Sequence, residues 1–441
     1  MIPQLYQIYK NCHQAIAIDT RQIKKGGLFF ALGQEDAQGI HKGNIYATLA
    51  IEEYGAAYAI INDPQLKAQY AHDERYILVQ NGVETLQALA TYHRQQLNIP
   101  ILAIAGSNGK TTLKELLYRV LSKKYETFAT QGNLNNHIGV PISILSLQEK
   151  HEIAIIEIGA NHLYETALLS QITQPTHGIV TNCGKDHLGE YGSFENVIKA
   201  NAELYDYLQA VQANAFVCTD DALLLQISNH VTNRYFYGSH TAVSGEITAT
   251  PFLALDLKIN NKTYALQTQL FGAFWRDAVV AAAYIGHYFD IANQDIIDAI
   301  ATYTPQSLRS QKIIWKEKSV LLDCYNANPS SVEAFMQAAQ SDKSVEKKVF
   351  IVGEMLELGQ YEAEEHQQLI YQLVKDQAFE KVILVGKAFN QVNIPQNDKF
   401  FHFDTAAQAM QWLQQHPIAI DTKIYVKGSR GNKLETIFNL P

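Results

Sequence analysis

The run ILAIAGSNGKTTLKELLYRVL, residues 101–121, decides how this chain is read. It opens wholly apolar, as a strand buried on both faces requires. It closes with Leu113, Leu116, Leu117, Val120 and Leu121 at spacings of 3, 4, 7 and 8, one apolar face of a helix. Between the two lies Gly-Ser-Asn-Gly-Lys-Thr-Thr. Gly109-Lys110-Thr111 is the core of a phosphate loop, in which backbone N–H groups cradle phosphate oxygens, the lysine neutralises charge and the hydroxyl ligates Mg²⁺. That triplet is weak alone, and its place between strand and amphipathic helix gives it weight. The general motif sets its first glycine where Ile104 stands, so this loop is shorter at the front and begins at Gly106. The nucleotide candidates are Gly106, Ser107, Asn108, Gly109, Lys110, Thr111 and Thr112.

Outward from the loop the grammar is α/β. From residue 99, ILAIA, EIAIIEIG, HGIVTN and NAFVCT are buried-type strands interleaved with helical segments, the pattern of a mostly parallel sheet covered on both faces. A more β-like patch follows near 245–270, then a helix around 276–288, up to Thr304-Pro305. Before the loop, short strands and helices end in the helical ETLQALATYHRQQL, broken by Asn98-Ile99-Pro100. After it, SVLLDCYNANP, KKVFIVGEM, EKVILVGKA and TKIYVKGSRG each read as a strand ending in a polar or glycine loop, where open α/β sheets bind ligands. Asn328-Pro329 is a helix cap followed by proline at the first helical position. The length of 441 residues suggests about three domains. The expected boundaries are 1–98, 99–305 and 306–441.

Composition narrows the function classes. Hydrophobic residues at 47% and charged ones at 18% describe a globular chain. A formal charge of -9 gives no general reason to bind nucleic acid or an anionic membrane, so any phosphate must be met locally. The start MIPQLYQIYKN lacks a signal-peptide pattern, and no run approaches the ~18 apolar residues of a membrane span, so a cytoplasmic protein without integral membrane association is expected. Cys12, Cys183, Cys218 and Cys324 form no CxxC pair and read as reduced, mostly structural thiols.

Further candidates lie at strand ends. Glu157 closes an otherwise apolar strand near the phosphate loop, and two readings are open: a metal ligand, or a cap for the next helix. His187, after the following strand, is either structural or a ligand. Lys427, Arg430 and Lys433 cluster in VKGSRGNKLE, as a carboxylate-binding group or as a solvated basic loop.

Together these segments resemble the Mur ligases, ATP-dependent enzymes that join amino acids or peptides to the cell-wall precursor. DTRQIKKGGLFFAL resembles their uridine-nucleotide segment, GSNGKTT their short phosphate loop, and IEIGANH and DHLGEYGS their central domain. GNLNNHIGVP, DCYNANPSSVEA, GEMLELG and YVKGSRGNKLE resemble the branch that adds D-alanyl-D-alanine to UDP-N-acetylmuramoyl tripeptide. The resemblance covers nearly the whole chain. It implies a small α/β N-terminal domain gripping the UDP-sugar, a central P-loop ATPase-like domain, and a C-terminal Rossmann-like α/β domain for the dipeptide and part of the ATP site. It also implies ATP and Mg²⁺ as cofactors, an acyl phosphate intermediate and a monomer. By motif, Lys110, Glu157 and His187 are implied to be catalytic, with Thr111 and Glu157 on one Mg²⁺ and His187 on a second. Arg309, Asp323 and Asn326 are implied at ATP. Asp19, Thr20, Arg21, Asn135, Asn136, Lys427, Ser429 and Arg430 are implied at the other substrates.

Three departures stand against that pattern. Asn201 replaces a lysine that is carbamylated in the family, which implies weaker binding of a second Mg²⁺. Trp275 and Ala278 replace two asparagines; either Phe274 or Trp275 stacks on adenine instead, or the segment simply packs the helix after it. PQSL before Arg309 replaces an asparagine-rich form. These raise a second reading, a non-catalytic paralog that binds nucleotide; retention of Lys110, Thr111, Glu157, His187, Arg309 and Asp323 favours a working ligase. A P-loop kinase or GTPase is disfavoured, since NKLE at 432–435 is late and has Glu435 where aspartate is expected.

Overall fold

The computed structural model describes residues 1–440. Strand Ile101–Ala105 is buried at every position and sits inside a six-stranded, all-parallel sheet. The strand order is 234–237, 214–218, 177–180, 101–105, 153–157, 127–129. From the strand at 101–105 the chain builds two strands on one side, then crosses to build three on the other. A crevice therefore opens at the carboxyl end of this strand, where Gly106 begins, because the connections on its two sides leave in opposite directions. Helix Lys110–Leu121 buries Leu113, Leu116, Leu117, Val120 and Leu121, each no more than 1% exposed, as the apolar spacing requires.

The β-like patch forms a three-stranded antiparallel sheet of Val243–Ala249, Phe252–Ile259 and Lys262–Phe271, and helix Arg276–Tyr288 follows. The N-terminal part holds a four-stranded parallel sheet: Ile16–Ala17, Leu28–Phe30, Tyr58–Ile61 and Tyr76–Leu78. Helix Gly82–Gln95 carries it onto the central sheet. Arg94, 7% exposed, donates to the carbonyls of Leu97, Ile99, Thr173 and Gln174, so the Asn98-Ile99-Pro100 break is tied down on both sides. One apolar cluster takes in residues of both parts, from Leu5 at the N-terminal end to Tyr303 at the end of the central part.

The C-terminal sheet has six strands rather than the four legible in the sequence. Strands Lys318–Asp323, Lys348–Gly353, Lys381–Val385 and Lys423–Lys427 are joined by Gln311–Trp315 and Phe400–Phe403 at the edges. Only the edge strand Gln311–Trp315 runs antiparallel. Edge strands are half-exposed, so their side chains lack the continuous apolar run that marks the inner ones. The cysteines form no disulfide.

A buried charge cluster joins this domain to the three-stranded sheet. Lys423 Nζ and the Tyr425 hydroxyl each donate to Asp342 Oδ2 at 2.6 Å, and Asp342 is 1% exposed. The same ammonium lies 5.5 Å from the ring centre of Phe252 and 5.9 Å from that of Phe271. Burial opposes the charge on Asp342, but hydrogen bonds from Lys423, Ser344 and Tyr425 outweigh it and hold the pKa at about 2. Lys423→Met strands that carboxylate unpaired and is expected to destabilise the fold by about 3–5 kcal/mol, read from urea unfolding. The folded pKa lies below the unfolded value of 3.8, so the stabilisation is complete above 3.8 and is lost as pH falls toward about 2. Thermal unfolding across that window should fall more steeply in the parent chain than in the variant.

Candidate active site

The phosphate loop takes its shape from the strand beside it. Gly106 has φ +122°, and a Cβ there would lie 2.1 Å from Thr181 Oγ1. Ser107 N donates to Asn182 O at 2.9 Å, Asn108 N to Asn182 Oδ1 at 3.1 Å, and Thr181 Oγ1 to Asn108 O at 2.7 Å. Ser107 Oγ donates to Asp186 Oδ1 at 2.5 Å. Residues 181–186 thus form the outer wall of the loop. Gly109, at φ +83°, turns the chain into the helix without a side-chain cap, leaving the first N–H groups free for an anion. The Lys110 ammonium donates to the carbonyl of Gly106, and to that of Ser107 at 3.2 Å, which holds it over the loop.

Next to the loop, Glu157 is 2% exposed. Its Oε1 accepts from Thr111 Oγ1 at 3.2 Å and from Asn135 Nδ2 at 2.8 Å. Its Oε2 has no hydrogen-bond partner and lies 3.7 Å from Lys114 Nζ. A buried carboxylate oxygen left over beside a threonine hydroxyl fits a hard divalent cation, which takes oxygen ligands and offsets the cost of burying the charge. Among the two sequence readings of Glu157, helix capping has no support: the helix that follows, Glu165–Thr173, starts eight residues later with no side-chain cap.

His187 Nδ1 stands 2.8 Å from Glu357 Oε2, across the boundary between central and C-terminal domains. Burial disfavours its charged form, but Glu357 and Asp186 more than offset this and raise its pKa above the ordinary value. His187, Glu190 and Glu357 bring one nitrogen and two carboxylates within 4.8 Å of one another, a donor set that suits a second divalent ion.

The C-terminal domain supplies the opposite wall. Arg309 lies 3.8 Å over the Tyr325 ring, which fixes its guanidinium at the cavity. Asp323 Oδ2 accepts from Ser310 Oγ at 2.9 Å and its Oδ1 from Lys427 Nζ at 3.1 Å. Lys427, 3% exposed, also donates to Asn326 O at 2.8 Å, so two of its three donors hold Asp323 and Asn326 in place. Arg430 stays 58% exposed at its side chain, 3.2 Å from Glu435.

All these walls enclose one cavity of about 1570 Å³. That exceeds the ~300–1,000 Å³ of a pocket for one small ligand and leaves room for several reactants. It brings together Ser107 to Thr112, Asn135, Asn136, Glu157, His187, Arg309, Asp323, Asn326, Lys427 and Arg430, with Gly106 underneath. Ser429 is 4% exposed and does not line it. Asp19, Thr20 and Arg21 lie elsewhere, on a short turn of the N-terminal domain capped by Asp19. Hydrogen bonds from Arg21 lower the Asp19 pKa to about 2. Trp275 and Ala278 line the cavity, and the Trp275 indole Nε1 is buried without a partner. Asn201 does not line it: its amide Nδ2 donates back to Val197 O at 2.9 Å. Sequence reasoning missed Lys114, Asn182, Asp186, Glu190 and Glu357, although all five stand inside quoted segments: ILAIAGSNGKTTLKELLYRVL, HGIVTN, DHLGEYGS and GEMLELG.

Family models describe two stretches of the chain: the Mur ligase middle domain over residues 104–286 and the Mur ligase glutamate ligase domain over 309–430. The UDP-N-acetylmuramoyl-tripeptide–D-alanyl-D-alanine ligase of Bacillus subtilis is 28% identical over 432 residues, 96% of this chain and 92% of that protein. The protein of the same name from Synechocystis is 30% identical, over 80% of this chain and 75% of its own. A crystal structure of MurF from Acinetobacter baumannii superposes with a TM-score of 0.84 at 26% identity, covering 98% of this chain and 97% of that one.

Gly106→Ala tests the loop directly. The added Cβ collides with Thr181 at a backbone conformation that alanine rarely adopts, so Mg-ADP binding measured by calorimetry should weaken at least about 10-fold. Unchanged affinity would mean that the loop shifts without cost.

Proposed function

The chain belongs to the Mur ligase family, and on that premise we propose that it joins D-alanyl-D-alanine to UDP-N-acetylmuramoyl tripeptide at the expense of ATP. The observation that carries this reading is a single cavity faced by the phosphate loop and Glu157 on one side and by Arg309, Asp323 and Asn326 on the other.

The chemistry explains why both walls are needed. A carboxylate is a poor electrophile and its oxygen a poor leaving group. The terminal carboxylate of the tripeptide forms a bond to the γ-phosphorus of ATP as the bond to ADP breaks, giving an acyl phosphate. The dipeptide amine then bonds to the carbonyl carbon, loses a proton, and inorganic phosphate departs. Positioning and charge neutralisation do most of the work in such transfers. Lys110 neutralises the β- and γ-phosphates. Thr111 and Glu157 would hold one Mg²⁺ and His187, with Glu190 and Glu357, a second; when bound these ions neutralise developing phosphate charge. Arg309, Asp323 and Asn326 fix the nucleotide from the C-terminal domain, and Asn135, Asn136 and Arg430 face the other substrates. Trp275 presents its ring to the nucleotide in place of an asparagine. Asp19, Thr20 and Arg21 serve the uridine end, and Lys427 acts through Asp323 rather than on a substrate carboxylate. Domains 1–98, 99–305 and 306–441 divide these tasks among UDP-sugar, ATP and dipeptide. We take the working unit as a monomer and the reaction as cytoplasmic; among the described residues no helix is long and apolar enough to cross a membrane.

Phosphate release from ATP should require Mg²⁺, the UDP-sugar tripeptide and D-alanyl-D-alanine together, with a product heavier by one dipeptide less water. Mg-ADP binding without turnover would select the non-catalytic reading. Glu157→Gln keeps the size of the side chain and removes its charge; kcat/KM should fall at least about 10²-fold, with a raised Mg²⁺ requirement. A variant with parental Mg²⁺ dependence would remove Glu157 from the metal site.

A further inference from the structure

Asn328 begins helix Pro329–Ser341 of the C-terminal domain, and its cap is complete by itself. Its Oδ1 accepts from Ser331 N at 2.8 Å, and Ser331 Oγ accepts from Asn328 N at 3.0 Å. That commits the amide oxygen to the helix and fixes the orientation of the group. The amide nitrogen, pointing the other way, donates to Asn108 Oδ1 of the phosphate loop at 2.8 Å, a bond spanning 220 residues. Asn328 is 3% exposed, so this donor has no recourse to bulk water.

Asn108 is in turn bonded to the 181–186 wall through both its backbone N and its carbonyl. Its backbone N donates to Asn182 Oδ1, and its carbonyl accepts from Thr181 Oγ1 at 2.7 Å and Asn182 Nδ2 at 3.0 Å. Two residues on from Asn328, Ser330 makes a second contact with the central domain, its Oγ accepting from Lys185 N at 2.9 Å. Packing there is tight: a Cβ on Gly184 would lie 2.8 Å from Asn108 Nδ2 and 3.2 Å from Ser330 Oγ. In this docked arrangement the helix start therefore touches both the phosphate loop and the 181–186 wall.

We propose that Asn328 is a positioning residue that couples docking of the C-terminal domain to the geometry of the phosphate loop, so that nucleotide is held at full affinity only in the docked arrangement. The proposal deepens the ligase reading and rests on it for the kinetic part of its test.

Asn328→Ser keeps a strong cap and removes the amide donor. One neutral hydrogen bond lost at a buried site should raise KM for ATP and weaken Mg-ADP binding by about 2- to 10-fold. The melting temperature and the KM for tripeptide and dipeptide should stay at parental values. Asn328→Thr, another cap without an amide, should reproduce the result, and Asn108→Ala combined with Asn328→Ser should be no worse than the more damaging single change. Parental nucleotide affinity in Asn328→Ser overturns the proposal. So do multiplying losses in the double variant, or equal rises in every KM with a lowered melting temperature, which indicate structural damage alone. Mg-ADP calorimetry does not depend on turnover. An inactive parent chain would overturn the ligase reading while the calorimetric comparison still decides the role of Asn328.

Discussion

Gly106 is pressed so closely against Thr181 that no side chain fits, and the rest of the site depends on that contact. It sets the phosphate loop against residues 181–186, which supply Asn182 and Asp186 as hydrogen-bond partners and His187 as the next side chain. The parallel sheet makes the contact possible, because strands Ile101–Ala105 and His177–Val180 are direct neighbours ending at the same edge. The stretch from Thr181 then meets the C-terminal domain through Lys185, which lies 2.6 Å from Glu365, and, just beyond residue 186, through the backbone bond from Gly189 N to Glu357 O. A single close approach thus aligns the phosphate loop, the proposed metal ligands and the domain boundary.

The electrostatics are local, as a net charge of -9 demands. Lys110 and Arg309 face the cavity as cations, and Lys114 sits beside Glu157 so that the carboxylate is not wholly uncompensated. Once substrates fill this cavity and displace its water, such interactions would be stronger than at the surface, which suits phosphoryl transfer. Closure would also protect an acyl phosphate from water. The same economy explains Lys427: adjacent strands in parallel register place Asp323 opposite it, and the two neutralise each other before any substrate arrives.

The parts legible in the sequence were those encoded locally. The apolar run at 101–105, the glycine loop and the spacing of Leu113 to Leu121 define one strand–loop–helix unit, and Asn328-Pro329 marks a helix start. Motif resemblance carried Arg309, Asp323 and Asn326 to the cavity that they line. What stayed hidden depends on packing between distant segments. Nothing in the composition of residue 328 says that its amide reaches residue 108, and Lys427 looks like a free cation until strand register is known. Gln311–Trp315 and Phe400–Phe403 escaped because edge strands lack the doubly buried apolar signature. Asn201 is instructive in a different way, because its amide is turned back on its own helix instead of toward the cavity.

The central claim is that one cavity, built from two domains, activates a carboxylate as an acyl phosphate before an amine attacks it. Isotope transfer tests this most directly. With the terminal carboxylate of the tripeptide labelled with ¹⁸O, the account predicts that each turnover delivers one ¹⁸O from that carboxylate into inorganic phosphate. Product formed with unlabelled phosphate would contradict it, because the carboxylate oxygen would then have left by a route that never bonded to phosphorus.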